Sequence, residues 1–251
     1  SGPYIKPQKL DQFALGYYTK LKGIKFESEV FYKKIKNRLD YIDGADLVAN
    51  DNIETVILPG ISRAYGMELL LRKNLGRHKY WIAYTLSKSE QKTSGRNSNE
   101  NGINMSKWYN TPYDKTHDFS INTEYNLNKK LKIVGNFIFQ TGQPTNYPNS
   151  QYNYMNLNVP NYGERNSNRL PNYHRLDVNL TLTPNKKDKK VESSWVFGVY
   201  NLYNRDNASS IIFRRNNETL KNEAVQISIF GIVPSVTYNF CLLYTSPSPR
   251  D

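Results

Sequence analysis

The sequence predicts an all-β protein, a partial antiparallel up-and-down transmembrane β-barrel of about nine strands. The segment Tyr173–Leu182 alternates cleanly: Leu176, Val178, Leu180 and Leu182 are apolar, and the residues between them are polar. A period of two is typical of a strand with two unlike faces. The sequence offers no helical layer that could cover the repeated apolar faces. We therefore expect the apolar faces to contact lipid and the polar faces to line a lumen.

The order of strands and connections also indicates a barrel. The predicted strands are residues 11–20, 24–41, 60–73, 79–87, 117–127, 131–141, 173–182, 194–213 and 225–240. Short connections at 21–23, 74–76 and 128–130 and a medium one at 184–193 alternate with longer ones. Outer-membrane barrels combine short periplasmic turns with long external loops. We therefore expect the long connections to be extracellular: 42–59, 89–114, 142–172 and 214–224.

Two predicted strands are irregular. The alternation breaks within Ser194–Phe213, so we expect a bulge or bend near Asn204–Asn207. Pro234 interrupts the last strand, and proline is tolerated at a sheet edge or bulge rather than in a fully paired ladder.

Composition separates a strand-built membrane protein from a helical one. The mean hydropathy is -0.71 and aromatic residues make up 13% of the chain, including 20 tyrosines. No apolar run reaches the roughly 18 residues that a spanning helix needs. The first residues, SGPYIKPQKL, lack the features of a signal peptide, so we expect a mature portion or a fragment of a longer protein.

The net charge of +12 raises the question of nucleic-acid binding. The basic residues are spread over turns and loops, as in the turn at Lys129 and Lys130, and no recognition helix or RNA-binding motif is present. The sequence therefore favours a solvated basic rim over a nucleic-acid partner. External basic residues of this kind are expected to meet anionic lipopolysaccharide or an anionic ligand.

Neither catalysis nor a metal or other cofactor is predicted. His117 with Asp118, and His174 with Asp177, lie on different strands without a partner at ligand spacing. Both histidines fall on the apolar face near strand starts, where an interfacial histidine is ordinary. The sequence contains no GxSxG, HExxH or phosphate-binding loop.

Several motifs together resemble one known family. They are GISRAYGMELLLRKNLG, YWIAYTLSKSE, YNTPYDKTHDFSI, FQTGQPT, ERNSNRLPNYHRLDVNL, WVFGVYNLYNRDNASSI and PSVTYNF. Their order and spacing resemble the C-terminal barrel portion of TonB-dependent outer-membrane receptors of the Bacteroidota type, over residues 1–240.

The resemblance implies an outer-membrane receptor that takes up a scarce solute. In that family a barrel of about 22 strands encloses an N-terminal plug, and the proton gradient drives uptake through the TonB complex. A surface lipoprotein is a further partner that the resemblance suggests. The chain then represents a fragment without its plug. Siderophore, haem, cobalamin, glycan and peptide ligands stay open, and a passive porin or a barrel enzyme is the alternative.

The last residues depart from the family pattern. Family members end on an aromatic residue soon after a stretch like SVTYNF, whereas here CLLYTSPSPRD follows. This tail is similar to translated sequencing-adaptor sequence, so residues 241–251 are predicted to be non-native. The tail contains Cys241, the single cysteine, so the remaining chain has no thiol for a disulfide or a zinc site.

Two groups of polar residues are candidates for ligand contact. The first faces the predicted lumen, where we expect hydrogen bonds to a plug or to water: Glu27, Glu29, Glu68, Asp118, Glu124, Arg175 and Asp177. The second lies in the Asn-rich connection 142–172, where tyrosines combine stacking area with hydrogen bonding. The predicted ligand-binding residues are Tyr147, Tyr152, Tyr154 and Tyr162.

Overall fold

The computed structural model describes residues 5–48, 50–155, 157–184, 191–216, 218 and 222–242. Within them the chain forms sixteen strands and two short 3₁₀ helices, Ile53–Thr55 and Ile103–Ser106. The strands are β1 (Lys9–Leu21), β2 (Ile24–Tyr41), β3 (Ile57–Lys73), β4 (His78–Thr93), β5 (Tyr109–Asn110), β6 (His117–Asn126), β7 (Leu131–Gln140), β8 (Pro144–Thr145), β9 (Pro148–Tyr154), β10 (Leu157–Tyr162), β11 (Asn168–Arg169), β12 (Tyr173–Leu182), β13 (Val191–Tyr200), β14 (Ala208–Arg215), β15 (Asn222–Ser228) and β16 (Val233–Leu242).

Nine long strands form one antiparallel sheet, which confirms the predicted fold class. Their order is β1-β2-β3-β4-β6-β7-β12-β13-β16, and β5 extends the sheet beside β4. Each long strand pairs with the next one along the chain, as an up-and-down meander requires. The described residues contain no helix long and apolar enough to cross a membrane.

The register places apolar side chains beside one another on one face, which we call the apolar face. One continuous row crosses five strands: Tyr125, Ile133, Leu180, Phe197 and Val236. The buried apolar side chains in the described part of the chain are only Leu58, Ile103 and Tyr109. The apolar face therefore does not pack on a second layer formed by the described residues.

The opposite face, which we call the polar face, has a matching row. It runs through Glu29, Glu68, Thr85, Asp118, Gln140 and Tyr173. A shift of the register by one residue would exchange the two faces, so the two rows together fix the pairing.

The connections alternate between two ends of the sheet. At the short-turn end, residues 22–23, 74–77 and 127–130 join neighbouring strands. Lys22 and Gly23 both have positive φ, 48° and 81°, as expected for a two-residue hairpin turn. The predicted medium turn at 184–193 lies mostly outside the described residues. The long-connection end has residues 42–56, 94–116, 141–172 and 201–232.

The two irregular strands differ from the prediction. Ser194–Phe213 is not one strand, because β13 ends at Tyr200 and the chain turns where Asn201 and Asn204 adopt positive φ. The Asn201 side chain closes this turn, since it accepts from the Arg205 amide and donates to the Arg205 carbonyl. The predicted bend near Asn204–Asn207 is confirmed.

The predicted strand 225–240 is also divided. Its first part belongs to β15, which pairs with β14 in a separate two-stranded hairpin, and its second part belongs to β16. The residues predicted as a loop at 214–224 are therefore partly strand. Pro234 lies in β16, an edge strand of the sheet, where the missing N–H is tolerated.

The predicted tail is described only at its start. β16 continues through Cys241 and Leu242, which pair with Glu192 and Val191. The other tail residues, 243–251, lie outside the described residues, so the non-native origin of 241–251 stays a prediction.

Candidate functional site at the long-connection end

A β-bulge in β2 determines which side chains gather at the long-connection end. The register shifts between Lys36 and Arg38, and Asn37 takes a positive φ of 58°. A bulge inserts one residue and re-aims the side chains beyond it. Without the bulge, Asp40 would lie on the apolar face, as Tyr32 does. The bulge places it on the polar face instead.

Asp40 accepts hydrogen bonds from two connections at once. Arg165, from connection 141–172, donates from Nη1 to Asp40 Oδ1 at 2.8 Å and to the Tyr41 carbonyl at 2.7 Å. Its Nε and Nη2 donate to Asp43 Oδ1 at 3.1 and 2.5 Å. The Arg165 side chain is only 7% exposed, and its guanidinium lies 4.6 Å from the Tyr41 ring centroid.

The electrostatic balance at Arg165 favours the charged form. Burial by itself lowers the pKa of a guanidinium, but the neighbouring carboxylates Asp40 and Asp43 outweigh it, and the pKa of Arg165 is raised. Asp40 is largely buried whereas Asp43 is mostly exposed. The pair with Asp40 is therefore the better shielded of the two.

The second oxygen of Asp40 is bound by a buried polar group. The Tyr109 hydroxyl donates to Asp40 Oδ2 at 2.6 Å, and Gln91 Nε2 donates to the same atom at 2.5 Å. Thr93 Oγ1 lies 2.9 Å from the Tyr109 hydroxyl. Burial raises the pKa of Tyr109, and the adjacent Asp40 carboxylate raises it further.

Two asparagine side chains in the same region join the connections by binding backbone groups of the other connection. Asn104 and Arg165 exchange a pair of hydrogen bonds, from the Arg165 amide to Asn104 Oδ1 at 2.8 Å and from Asn104 Nδ2 to the Arg165 carbonyl at 3.1 Å. Asn166 Nδ2 donates to the Asn110 carbonyl at 2.8 Å. Connection 141–172 is thereby held against connection 94–116.

A second ion pair holds the base of connection 141–172. Asp114, 1% exposed, pairs with Arg169 and accepts from the Ser89 amide at 2.6 Å. Arg169 Nη1 also donates to the carbonyl of Gly142 at 3.0 Å. Sequence reasoning singled out neither Arg165 nor Arg169, although both lie in one motif, ERNSNRLPNYHRLDVNL.

The four predicted tyrosines do not form one site. Tyr147 is half-buried, lies edge-on to Phe213 at 5.5 Å between ring centroids, and is 3.5 Å from the Arg169 carbonyl. Burial raises its pKa. Tyr152 and Tyr154 are exposed on the β9–β10 hairpin. Tyr162 is exposed at the other end of that hairpin, opposite Pro148.

Tyr162 lines a cleft between two hairpins. The cleft has a volume of about 530 Å³, and its lining is Pro148, Asn149, Ser150, Gln151, Pro160, Tyr162, Phe213, Arg214 and Asn222. Asn222 reaches across to Gln151 by a hydrogen bond. Arg214 is paired with Glu223 at 2.9 Å. The β14–β15 hairpin, which forms one side of this cleft, was not predicted from the sequence. The only indication of it in the sequence is the break in alternation after Tyr200.

The charged residues that were predicted to face the lumen fall into two classes, those with a hydrogen-bond or ion-pair partner in this chain and those that line a cavity. Arg175 is satisfied within the chain: it pairs with Asp177 at 2.9 Å and donates to the Tyr173 and Tyr200 hydroxyls at 2.8 and 2.7 Å. Glu124 likewise lies between Lys79 and Lys132, and Asp118 accepts from Gln140 at 2.8 Å.

The three remaining glutamates line a cavity on the polar face. It has a volume of about 420 Å³ and includes Glu27, Glu29 and Glu68 with Tyr18 and Trp81. Glu29 and Glu68 are register partners. Within the described residues, no ion pair joins any of these three carboxylates to a basic side chain.

The histidines lie where the sequence placed them, on the apolar face. His117 is 2.9 Å from the Tyr84 hydroxyl, and His174 is 2.8 Å from the Tyr203 hydroxyl. In the described part of the chain, no group of three His, Cys, Asp or Glu side chains could hold a metal ion.

Comparison with known proteins identifies the family. The family model described as TonB dependent receptor-like, beta-barrel, matches residues 1–202. The chain belongs to this family. The TonB-dependent receptor family consists of outer-membrane transport receptors rather than enzymes. No curated protein matches the sequence significantly.

Solved receptors have the same fold. The ferric-catecholate import receptor Fiu from E. coli K12 matches 94% of the chain with a TM-score of 0.58 and 16% identity. The ferripyoverdine receptor of the Pseudomonas aeruginosa outer membrane matches 94% with a TM-score of 0.58 and 11% identity. The ferric citrate transporter FecA matches 93% with a TM-score of 0.53 and 15% identity. The chain spans 28%, 27% and 31% of these three structures, respectively.

Proposed function

We propose that this chain is the C-terminal wall of an outer-membrane receptor that imports a scarce solute with energy supplied through TonB. Family membership and the two-faced sheet of nine strands support the proposal. The apolar face contacts lipid, and the polar face lines the lumen. The Bacteroidota type of receptor belongs to the same proposal.

Three carboxylates of the polar face have no ion-pair partner among the described residues, and this supports the presence of a plug in the complete receptor. Glu27, Glu29 and Glu68 border a cavity that is open to the side where a plug lies in this family. A charge facing the lumen is stabilised by hydrogen bonds or by an opposite charge. We propose that the plug and the water around it provide these partners.

The long-connection end is proposed to face the cell exterior and to bind the solute. Arg165 joins three parts of this end, so the hairpins of connection 141–172 stand on a fixed base. The cleft at Tyr162 combines aromatic rings with amide side chains. Its volume lies within the usual range of small-molecule sites. Tyr152 and Tyr154 extend the same hairpin, and Tyr147 supports Phe213.

The proposed outer-membrane location suggests further partners. An outer-membrane barrel meets lipid and lipopolysaccharide, and a surface lipoprotein is proposed to cover the receptor. The solved relatives are named for ferric catecholate, ferripyoverdine and ferric citrate. At 11–16% identity these relatives do not select the solute of this chain.

Labelled-solute uptake by cells carrying the full-length receptor tests the proposal. Candidate solutes are taken from the functions of neighbouring genes, and uptake is measured with and without an uncoupler. We expect uptake to collapse when the proton gradient is dissipated or when TonB is deleted. Uptake that is indifferent to both treatments would favour a passive porin.

A Tyr162→Ala receptor tests the cleft separately. We expect solute binding to weaken while the amount of folded receptor stays constant, because Tyr162 is exposed and its loss leaves no cavity. Tyr113→Ala, at another exposed tyrosine outside the cleft, is the control. Equal binding by both variants would place the solute elsewhere.

A further inference from the structure

A short turn in connection 94–116 has a backbone conformation that its side chains disfavour. Asn104, Met105 and Ser106 have φ of 50°, 54° and 59°, and we call these three residues the left-handed turn. In this conformation Cβ lies too close to the following carbonyl oxygen, which costs free energy for every residue except glycine. Asparagine is enriched there, but a bulky side chain such as methionine is an outlier. Three such residues in succession need contacts that hold them.

The turn itself offsets little of this cost. Met105 is 65% exposed, so packing of its side chain does not hold the backbone. The Met105 amide donates to the Gly102 carbonyl, and the Lys107 amide donates to the Asn104 carbonyl, each at 3.1 Å. A right-handed turn forms local hydrogen bonds of the same kind. The contacts that select the left-handed form therefore come from other parts of the chain.

The first of these contacts is with the end of β4. Ile103, directly before the left-handed turn, is buried. Gly102 lies so close to β4 that a Cβ at this position would clash with the Thr93 carbonyl oxygen and with Ser106 Oγ. The chain that enters the turn is thus fixed on the main sheet.

The second contact comes from connection 141–172. The Asn104 side chain accepts from the Arg165 amide at 2.8 Å and donates to the Arg165 carbonyl at 3.1 Å. The Arg165 guanidinium is itself anchored on β2, where it bonds to Asp40 and to the Tyr41 carbonyl. Both polar atoms of the Asn104 amide group are used, which fixes the orientation of the first residue in the left-handed turn.

The chain that leaves the turn contacts the same connection. Asn110, in β5, is the register partner of Glu90, and Asn166 Nδ2 donates to the Asn110 carbonyl at 2.8 Å. Arg165 and Asn166 therefore contact both sides of the left-handed turn. Movement of connection 141–172 away from the strands would break these contacts together.

We propose that the left-handed turn is a strained catch, which holds its conformation while Arg165 and Asn166 are docked and relaxes when connection 141–172 moves away. Docking and formation of the turn are then one two-state event. The strain opposes docking and narrows the free-energy gap between the docked and released states.

The same event positions one side of the cleft between the hairpins. Tyr162 lines that cleft and lies three residues before Arg165. When Arg165 is docked, the position of Tyr162 is fixed with it. The inference goes beyond the proposed function, because it concerns the two connections and does not depend on what the cleft binds.

Hydrogen exchange of the unliganded full-length receptor provides the test, with the variants Met105→Gly and Met105→Ala. Both remove an exposed side chain, but only glycine adopts the left-handed backbone without steric cost. The comparison therefore separates backbone strain from loss of the side chain. Exchange is measured at the Lys107 amide, beside the turn, and at the Arg165 amide, in the docked connection.

We expect both amides to exchange about fivefold more slowly in Met105→Gly than in Met105→Ala. The effect at Arg165 is decisive, because the substitution lies in the other connection. Slower exchange at Lys107 alone would mean that the turn is not coupled to connection 141–172, and it would overturn the proposal. Equal exchange in the two variants would show that the turn is not strained, which would also overturn it.

The same pair of variants in an Asn104→Ala background tests the route of the coupling. Without the Asn104 side chain, the difference between glycine and alanine at position 105 should shrink at the Arg165 amide. An undiminished difference there would overturn the role of Asn104 in the catch. Because no solute is present, a receptor that shows the coupling but imports nothing would refute only the proposed function.

Discussion

Arg165 and Asp40 are 125 residues apart in the chain, yet Arg165 Nη1 lies 2.8 Å from Asp40 Oδ1 at the long-connection end. The bulge at Asn37 turns Asp40 to this position, and the Asn104 side chain holds Arg165 there by accepting from the Arg165 backbone amide. This buried ion pair, together with Asp114–Arg169, holds connection 141–172 against the strands.

Replacing Arg165 should loosen this end of the protein. Arg165→Met leaves the largely buried Asp40 carboxylate without its cation, which we expect to cost about 3 kcal/mol or more. Urea unfolding of the full-length receptor measures the loss, and hydrogen exchange should rise first in residues 141–172.

An exposed ion pair provides the control for Arg165. Arg214 and Glu223 pair at 2.9 Å, but the Arg214 side chain is 61% exposed. Arg214→Met should cost less than about 1 kcal/mol. If the two substitutions have equal effects, Arg165 does not organise the long-connection end.

Tyr109 makes the same end sensitive to alkaline pH. Its pKa is raised in the folded protein, so folding favours the protonated hydroxyl that donates to Asp40. The resulting stability is complete below the ordinary tyrosine pKa of about 10 and declines as the pH rises above it towards the folded-state pKa.

Tyr109→Phe removes this titration. The stability difference between the parent and Tyr109→Phe should be constant from pH 7 to about pH 10 and should shrink above it. Urea unfolding of both proteins over this pH range tests the expectation. A difference that stays constant at high pH would contradict the role assigned to the hydroxyl.

The fold could be predicted from the sequence because strand alternation is local. Tyr173–Leu182 shows both faces within ten residues, and the structure confirms its two faces. The tyrosine-rich connection was recognisable by composition. The role of Arg165 could not be recognised in the same way, because its pairing with Asp40 requires a bulge in β2 and joins residues 125 positions apart.

The division of residues 194–240 was missed for a different reason. The segment Ala208–Arg215 is rich in β-forming residues, so its composition fits the main sheet. The positive φ of Asn201 and Asn204 ends β13 first and directs the next strand into a hairpin. Asparagine is also common in ordinary loops, which makes this signal weak in sequence.

Opposite faces of β12 should tolerate charge differently. Leu180 lies between Ile133 and Phe197 on the apolar face, whereas Thr181 lies between Lys132 and Val196 on the polar face. Leu180→Arg should destabilise the full-length barrel by roughly 2–4 kcal/mol and Thr181→Arg by much less. Heat-modifiable gel mobility reports assembly, and equal losses would contradict the assignment of faces.

The isolated chain should not form a pore. β1 and β16 are the two edges of the sheet, and in lipid each unpaired backbone group costs several kcal/mol. Purified residues 1–251 added to a planar bilayer should give no stable channels. Reproducible single channels would mean that the chain closes or oligomerises by itself.

Site-specific labelling on β12 tests most directly whether these strands form a lipid-facing wall around a polar lumen. In full-length receptor with Cys241→Ser, single cysteines replace Val178, Asn179, Leu180 and Thr181 in turn. One preparation of each variant carries a fluorophore, and a second preparation is left unlabelled and treated with a water-soluble maleimide. The account predicts quenching by brominated lipid at Val178 and Leu180, and reaction with a water-soluble maleimide at Asn179 and Thr181. Quenching that does not alternate along the strand, or that is strongest at Asn179 and Thr181, would contradict it.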